Sequence, residues 1–190
     1  YNGVKCTHLP RTLIKLLVDM KILDVVENNL PPVNSITADL QCELYKNQII
    51  LIDYIHSLLF SRIALGTATA ILNLRAGMGK TFVAAGLIST FGMKALYIVP
   101  MRPLAVQAVK DLRGCFYPDD PKLPHPTIGM YGNVKKRDPS TIVANQHITV
   151  IVINSAVERD AAFFAQYSLV IIDEVHMCCT EVRAEIFRRA

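Results

Sequence analysis

The chain holds 190 residues, 52% of them apolar and 19% charged, with a formal net charge of +4. That length suits one domain with at most a small appendage, and the composition excludes a globally disordered chain. The mild positive balance is compatible with a phosphate-backbone partner but does not by itself demand one.

Arg11–Val26 carries Leu13, Leu16, Leu17, Met20 and Val25 at roughly helical spacing, and Asn28–Asn34 with its two prolines reads as a loop. Residues 1–38 are therefore expected to form a small helical N-terminal extension, and residues 39–190 an α/β domain. From Asp39 onward helices alternate with apolar strands. Leu44–Leu59 reads as a mostly buried helix, and Thr67–Leu74 as a strand that ends in a glycine loop. Lys80–Phe91 returns to helix, Ala95–Val99 is a short strand stopped by Pro100, and Arg102–Leu112 is helical again. Thr127–Tyr131, Ile148–Ile153 and Leu169–Ile172 read as further strands, and Ala184–Ala190 as an amphipathic helix. Continuous apolar strands separated by helices predict a mostly parallel sheet covered by helices on both faces.

The five cysteines are Cys6, Cys42, Cys115, Cys178 and Cys179, an odd number with one adjacent pair and no metal-ligand spacing. A disulfide framework is not expected, and a reducing, intracellular setting is. The longest apolar runs are short or broken by Asp53 and His56, so no membrane span is expected. No signal peptide opens the chain, and a start at Tyr1 instead of Met leads us to expect a piece cut from a longer polypeptide.

The strongest local signal is Leu74-Arg75-Ala76-Gly77-Met78-Gly79-Lys80-Thr81, placed between a predicted strand and a predicted helix. Gly77 and Gly79 let the backbone fold tightly enough to turn the N–H groups of residues 76–81 onto phosphates. The start of the following helix adds its positive dipole end. Lys80 is expected to reach the β- and γ-phosphates of ATP, and the Thr81 hydroxyl to ligate Mg²⁺. The general pattern opens on glycine where this chain has Leu74, a departure that leaves the phosphate-contacting end untouched. The second half is Leu169-Val170-Ile171-Ile172-Asp173-Glu174-Val175-His176. Its acids emerge at the carboxyl end of a buried strand, where ligands bind in open α/β sheets. Asp173 is expected to hold Mg²⁺ through its water shell, and Glu174 to orient and polarise the attacking water.

The spelling Asp173-Glu174-Val175-His176 resembles the DExH form of the superfamily 2 helicases and translocases, and three other segments agree in the order that family uses. Leu44-Tyr45-Lys46-Asn47-Gln48 resembles the upstream motif in which a glutamine reads adenine, which makes Gln48 the candidate for that contact. An amide pairs naturally with the N6 and N7 edge of that base. Ile98-Val99-Pro100-Met101-Arg102-Pro103-Leu104-Ala105-Val106-Gln107 resembles the motif that holds the nucleic-acid backbone, with Met101 and Pro103 in place of the usual Thr and Glu. Pro103 suits a first helical turn, and Arg102 with the free N–H groups there suits phosphates. Ile153-Asn154-Ser155-Ala156 occupies the place of the next strand-end motif, so Asn154 and Ser155 join the candidates. Tyr131-Gly132 with Lys135, Lys136 and Arg137 is a basic loop, read equally as solvated or as lying near a bound strand. His176 is implied to couple the ATP site to the rest of the motor. Taken alone it reads equally as a capping or core histidine.

The resemblance implies the first RecA-like domain of a DNA- or RNA-dependent ATPase, a helicase or translocase that works with a second RecA-like domain. The strand with a Ser-Ala-Thr motif, which that family places between the phosphate-loop strand and the acidic strand, is not found after Arg183, so a C-terminally incomplete domain is expected. The alternatives are a P-loop ATPase of another class that remodels protein, and a non-catalytic nucleotide-binding module.

Overall fold

A computed structural model describes residues 36, 38–63, 69–75, 77–120, 122–131, 146–178 and 186. The helical extension expected before residue 36, Ala76 of the phosphate loop, and the basic loop with Lys135, Lys136 and Arg137 lie outside the described residues, as does the 184–190 helix except Ile186.

Helix α1 (Lys46–Ile63) is followed by α2 (Lys80–Phe91), β1 (Ala95–Val99), α3 (Arg102–Phe116), β2 (Ile128–Tyr131) and β3 (Ile148–Val152). Two short helices, α4 (Ile153–Val157) and α5 (Ala161–Phe164), lead to β4 (Leu169–Ile172) and a 3-10 turn at Val175–Cys178. The strands form one four-stranded sheet in the order β2-β3-β1-β4. Every pairing is parallel, with Ala95 opposite both Ile148 and Leu169, and Ile128 opposite Ile148.

Successive side chains on a strand point to opposite faces, and the aliphatic runs supply both. Ala95, Tyr97 and Val99 of β1 join Ile148 and Val150 of β3 on one face, under Ala84, Ala85 and Ile88 of α2 and Ala105, Leu112 and Phe116 of α3. Leu96, Ile98 and Ile151 face the other way, onto Ile153, Ala156, Phe164 and Ile186. The expected two-sided parallel sheet is what the chain builds. Helix α2 starts as the sequence indicates and stops at Gly92, whose φ of 58° and N–H bond to the Ile88 carbonyl make the glycine-type helix end. Helix α3 runs one turn past Leu112, because burial of Cys115 and Phe116 outweighs the weak helix preference of Gly114.

Two expectations need correction. Residues 69–75 form no strand: among the described residues none pairs with the outer edge of β4, and an extended run without a ladder partner has no bonds to hold it. Helix α1 is half-buried, not mostly buried. It rests on α2 through Ile52 and Ile55, against Val83, Leu87 and Phe91, while Tyr45, Ile49, Ile50 and Tyr54 stay exposed. Its apolar residues run all round, but among the described residues only one neighbouring helix covers them. The segment before α1 is tied down by Ile36 N–H donating to the Gly92 carbonyl (2.8 Å) and Gln41 N–H to the Cys115 carbonyl (2.7 Å). Cys42 and Cys115 are free thiols, and burial pushes the Cys115 thiol up to about 12.

The α1–α2 contact closes over Gly86, where a side chain would run into the buried Ile52. Gly86→Val is therefore expected to destabilise the domain by about 1–3 kcal/mol through overpacking, read as a lowered urea midpoint.

Candidate functional site

Sheet order decides where the site forms. The chain leaves β1 toward β3 and β2 on one side, while β4 lies on the other. The carboxyl ends of β1 and β4 thus flank a topological switch point, the place where open α/β sheets leave a crevice. Pro100, Ile153 and Asp173 follow β1, β3 and β4 at this edge. The end of β4 is pinned, since Asp173 N–H donates to the Ile98 carbonyl at 2.9 Å. Glu174 then turns with φ of 50°, a left-handed conformation uncommon outside glycine, and its N–H donates to Asp173 Oδ1 at 2.9 Å. The turn swings the Glu174 carboxylate toward α2.

The loop before α2 depends on two glycines with φ of 81° (Gly77) and 71° (Gly79). A Cβ at Gly79 would also collide with the side-chain nitrogen of Gln48. Gln48 is buried, donates from Nε2 to the Met78 carbonyl (3.2 Å) and accepts from Tyr45 N–H (2.9 Å). The amide is thus bonded to the loop itself.

Lys80 Nζ and Glu174 Oε1 meet at 2.6 Å, a half-exposed ion pair that joins the helix start to the acidic turn. The hydrogen bond to Lys80 holds the Glu174 carboxyl below its ordinary value, and the same bond raises the Lys80 ammonium. His176 Nδ1 lies 3.4 Å from Glu174 Oε2 with its side chain 69% exposed, so it is not a core histidine. Tyr97 is buried in β1 opposite Ile171, on the face that Asp173 shares two residues further along β4, and burial raises its phenol above the ordinary value.

The sequence profile of the DEAD/DEAH box helicase family matches residues 53–190 of this chain. The chain belongs to the DEAD/DEAH box helicase family. Among curated proteins it resembles QP509L of African swine fever virus, named as a candidate ATP-dependent RNA helicase. The protein of a Kenyan pig isolate is 27% identical over 173 residues, which is 90% of this chain and 29% of that protein. That of a Malawian tick isolate is 29% identical over 119 residues, 61% of this chain and 21% of that protein. The chain thus spans under a third of the length of these relatives. Two crystal structures of the UvsW helicase of bacteriophage T4 share the fold with a TM-score of 0.53, at 18% and 19% identity. They cover 95% and 93% of this chain, and 65% and 36% of theirs.

As a DEAD/DEAH box domain, the chain brings together Gln48, Gly77, Met78, Gly79, Lys80, Thr81, Asp173, Glu174 and His176 at one end of the sheet. Arg102 stands exposed in the first turn of α3, after Met101 in extended conformation. Asn154 is exposed and Ser155 half-buried in the first turn of α4, after the neighbouring strand β3. They lie at the same sheet edge as the acidic turn, after β1 and β3, and make a second candidate patch. Sequence reading missed Tyr97. Its one signal was a phenol in an otherwise aliphatic buried strand, where a hydroxyl has to find a polar partner.

The pair has a checkable titration. The folded Glu174 carboxyl titrates below its ordinary 4.5. The pair's contribution to stability is therefore complete above that ordinary value and is lost as pH falls through the folded one. Carboxyl-carbon NMR is expected to give a depressed midpoint for Glu174 that returns toward the ordinary value in Lys80→Ala.

Proposed function

We propose that this chain is the ATP-binding domain of a nucleic-acid-dependent ATP hydrolase, a helicase or translocase. The observation that carries the reading is the 2.6 Å Lys80–Glu174 contact, which joins a glycine loop at a helix start to paired acids at a strand end. Family membership sets aside the protein-remodelling P-loop classes. RNA is the favoured track, because the viral relatives carry that substrate in their names; DNA is the alternative outcome of the test below.

In this reading the N–H groups of residues 76–81 and the Lys80 ammonium receive the β- and γ-phosphates. Glu174 occupies the lysine in the present arrangement, so phosphate entry exchanges one anionic partner for another. The released carboxylate then accepts a hydrogen bond from the attacking water and aligns it with the γ-phosphorus. Gln48 reads adenine by giving up its bond to the Met78 carbonyl, so base recognition and loop position are linked through one amide. His176, beside Glu174, passes the state of the site to the rest of the motor.

The residues suit Mg²⁺: one carboxylate, Asp173, and one hydroxyl, Thr81, leave the remaining positions to water and phosphate oxygens, as this ion prefers. Among the described residues no group of three His, Cys, Asp or Glu offers a softer metal a cage. Held by Asp173 and Thr81, Mg²⁺ would supply positive charge to offset the charge that develops on the phosphate oxygens. Arg102, Asn154 and Ser155 hold the nucleic-acid backbone on the second patch. A second RecA-like domain, beyond these 190 residues, supplies the transition-state arginine, a contribution worth about 10³–10⁵ in rate. Turnover by the chain alone is accordingly slow.

The test is a nucleotide titration and an RNA titration on the purified chain and its variants. Lys80→Ala is expected to abolish ATP binding. Glu174→Gln is expected to keep or tighten ATP binding, since Lys80 no longer leaves an anionic partner, while losing the slow hydrolysis. Arg102→Ala is expected to weaken single-stranded RNA binding and lower its salt slope by about one, with ATP affinity unchanged. ATP binding that ignores Lys80→Ala would end the phosphate-loop assignment. RNA binding that ignores Arg102→Ala would end the backbone assignment.

A further inference from the structure

Tyr97 lies in the middle of β1, and its side chain is 2% exposed. It stands opposite Ile171 of β4 in parallel register. Two residues further along β4, on the same face, is Asp173, whose N–H continues the ladder by donating to the Ile98 carbonyl. Tyr97 and Asp173 are thus diagonal neighbours on one face of adjacent strands, a separation that a phenol can bridge. The same face is roofed by α2, where Ala84, Ala85 and Ile88 pack beside Tyr97. Thr81 sits three and four residues before Ala84 and Ala85, on the same stripe of that helix. The ring is therefore placed by register and packing on the face that carries Thr81 at the start of α2 and Asp173 at the end of β4. A buried phenol needs a polar partner, and the polar side chains that strand register and helix stripe bring to this face are Thr81 and Asp173, those assigned to the metal.

We infer that Tyr97 is a positioning residue for the metal site: its hydroxyl accepts from the Thr81 hydroxyl, donates to the Asp173 carboxylate, and holds both at the spacing that a phosphate-bound Mg²⁺ requires. The inference rests on the Mg-nucleotide reading above and adds to it a third, buried member. The Asp173 carboxylate at the tip of β4 and the Thr81 hydroxyl on α2 belong to different elements. One shared phenol, rooted in the most buried strand of the sheet, couples them. The bond to Asp173 also spends one of its acceptor positions on the protein, which orients the other oxygen toward the crevice.

The experiment is a titration of a fluorescent ADP analogue into the wild-type chain and Tyr97→Phe, without metal and across a range of Mg²⁺ concentrations. Lys80→Ala serves as the control for the nucleotide site. The expected result is metal-free affinity within about twofold of wild type, and a half-saturating Mg²⁺ concentration raised about threefold to tenfold, the worth of one hydrogen bond. A metal-free affinity and a Mg²⁺ midpoint both unchanged would overturn the role of Tyr97 and leave the nucleotide reading standing. A Tyr97→Phe chain that loses its helical circular dichroism would overturn it too, because the hydroxyl would then be holding the strand and not the site. No saturable binding by wild type, or binding that ignores Lys80→Ala, would remove the nucleotide reading and this inference with it.

Discussion

The contact between Lys80 and Glu174 is the constraint on which the arrangement depends. The two residues are 94 positions apart, and they meet only if the chain returns β4 to the flank of β1 after building β2 and β3 on the other flank. The ladder from Ala95–Ile98 to Leu169–Ile172 sets the height of the acidic turn, and the bond from Asp173 N–H to the Ile98 carbonyl ends it one residue later. Packing of Ala84, Ala85 and Ile88 onto Tyr97 and Val99 sets the height of the helix start. The aliphatic core is thus what gives the two polar segments a common level, and neither motif could make a site alone.

The site is held in a state that ligand has to displace. Lys80 is paired, the Gln48 amide is bonded to the loop, and Glu174 has a left-handed backbone that costs a non-glycine residue of order 1–3 kcal/mol. In the function proposed above, phosphate would replace Glu174 at Lys80 and adenine would replace the Met78 carbonyl at Gln48. The second patch, around Arg102 and Asn154, sits at the ends of β1 and β3, and β1 also pairs with β4, which carries the acidic turn. A shift of β1 along its axis would be felt at both.

Much of this could be read in the sequence where one residue type had one physical use. Gly77 and Gly79 had to be left-handed, Pro100 had to stop β1, and the aliphatic runs at 95–99, 148–152 and 169–172 had no polar face to show to water. Readings that needed a partner fared worse. Thr67–Leu74 has a strand's composition, yet strands are made by neighbours, and the described residues offer it none. Helix α1 has a buried helix's composition, yet burial depends on how many elements pack around it. Tyr97 passed unnoticed because its importance lies in what is above and beside it, Thr81 on a helix and Asp173 on another strand. Periodicity along one strand does not report that. Gln48 illustrates the same limit: the family resemblance of its segment implied an adenine contact, while its bond to the Met78 carbonyl could only be seen in three dimensions.

The most direct test of the central claim is steady-state ATP turnover by the natural polypeptide that carries this sequence, measured with and without single-stranded RNA and single-stranded DNA. The account predicts turnover that rises severalfold or more with one of the two nucleic acids, RNA first. Turnover indifferent to both would contradict a nucleic-acid motor and return the Arg102 segment to an ordinary helix start.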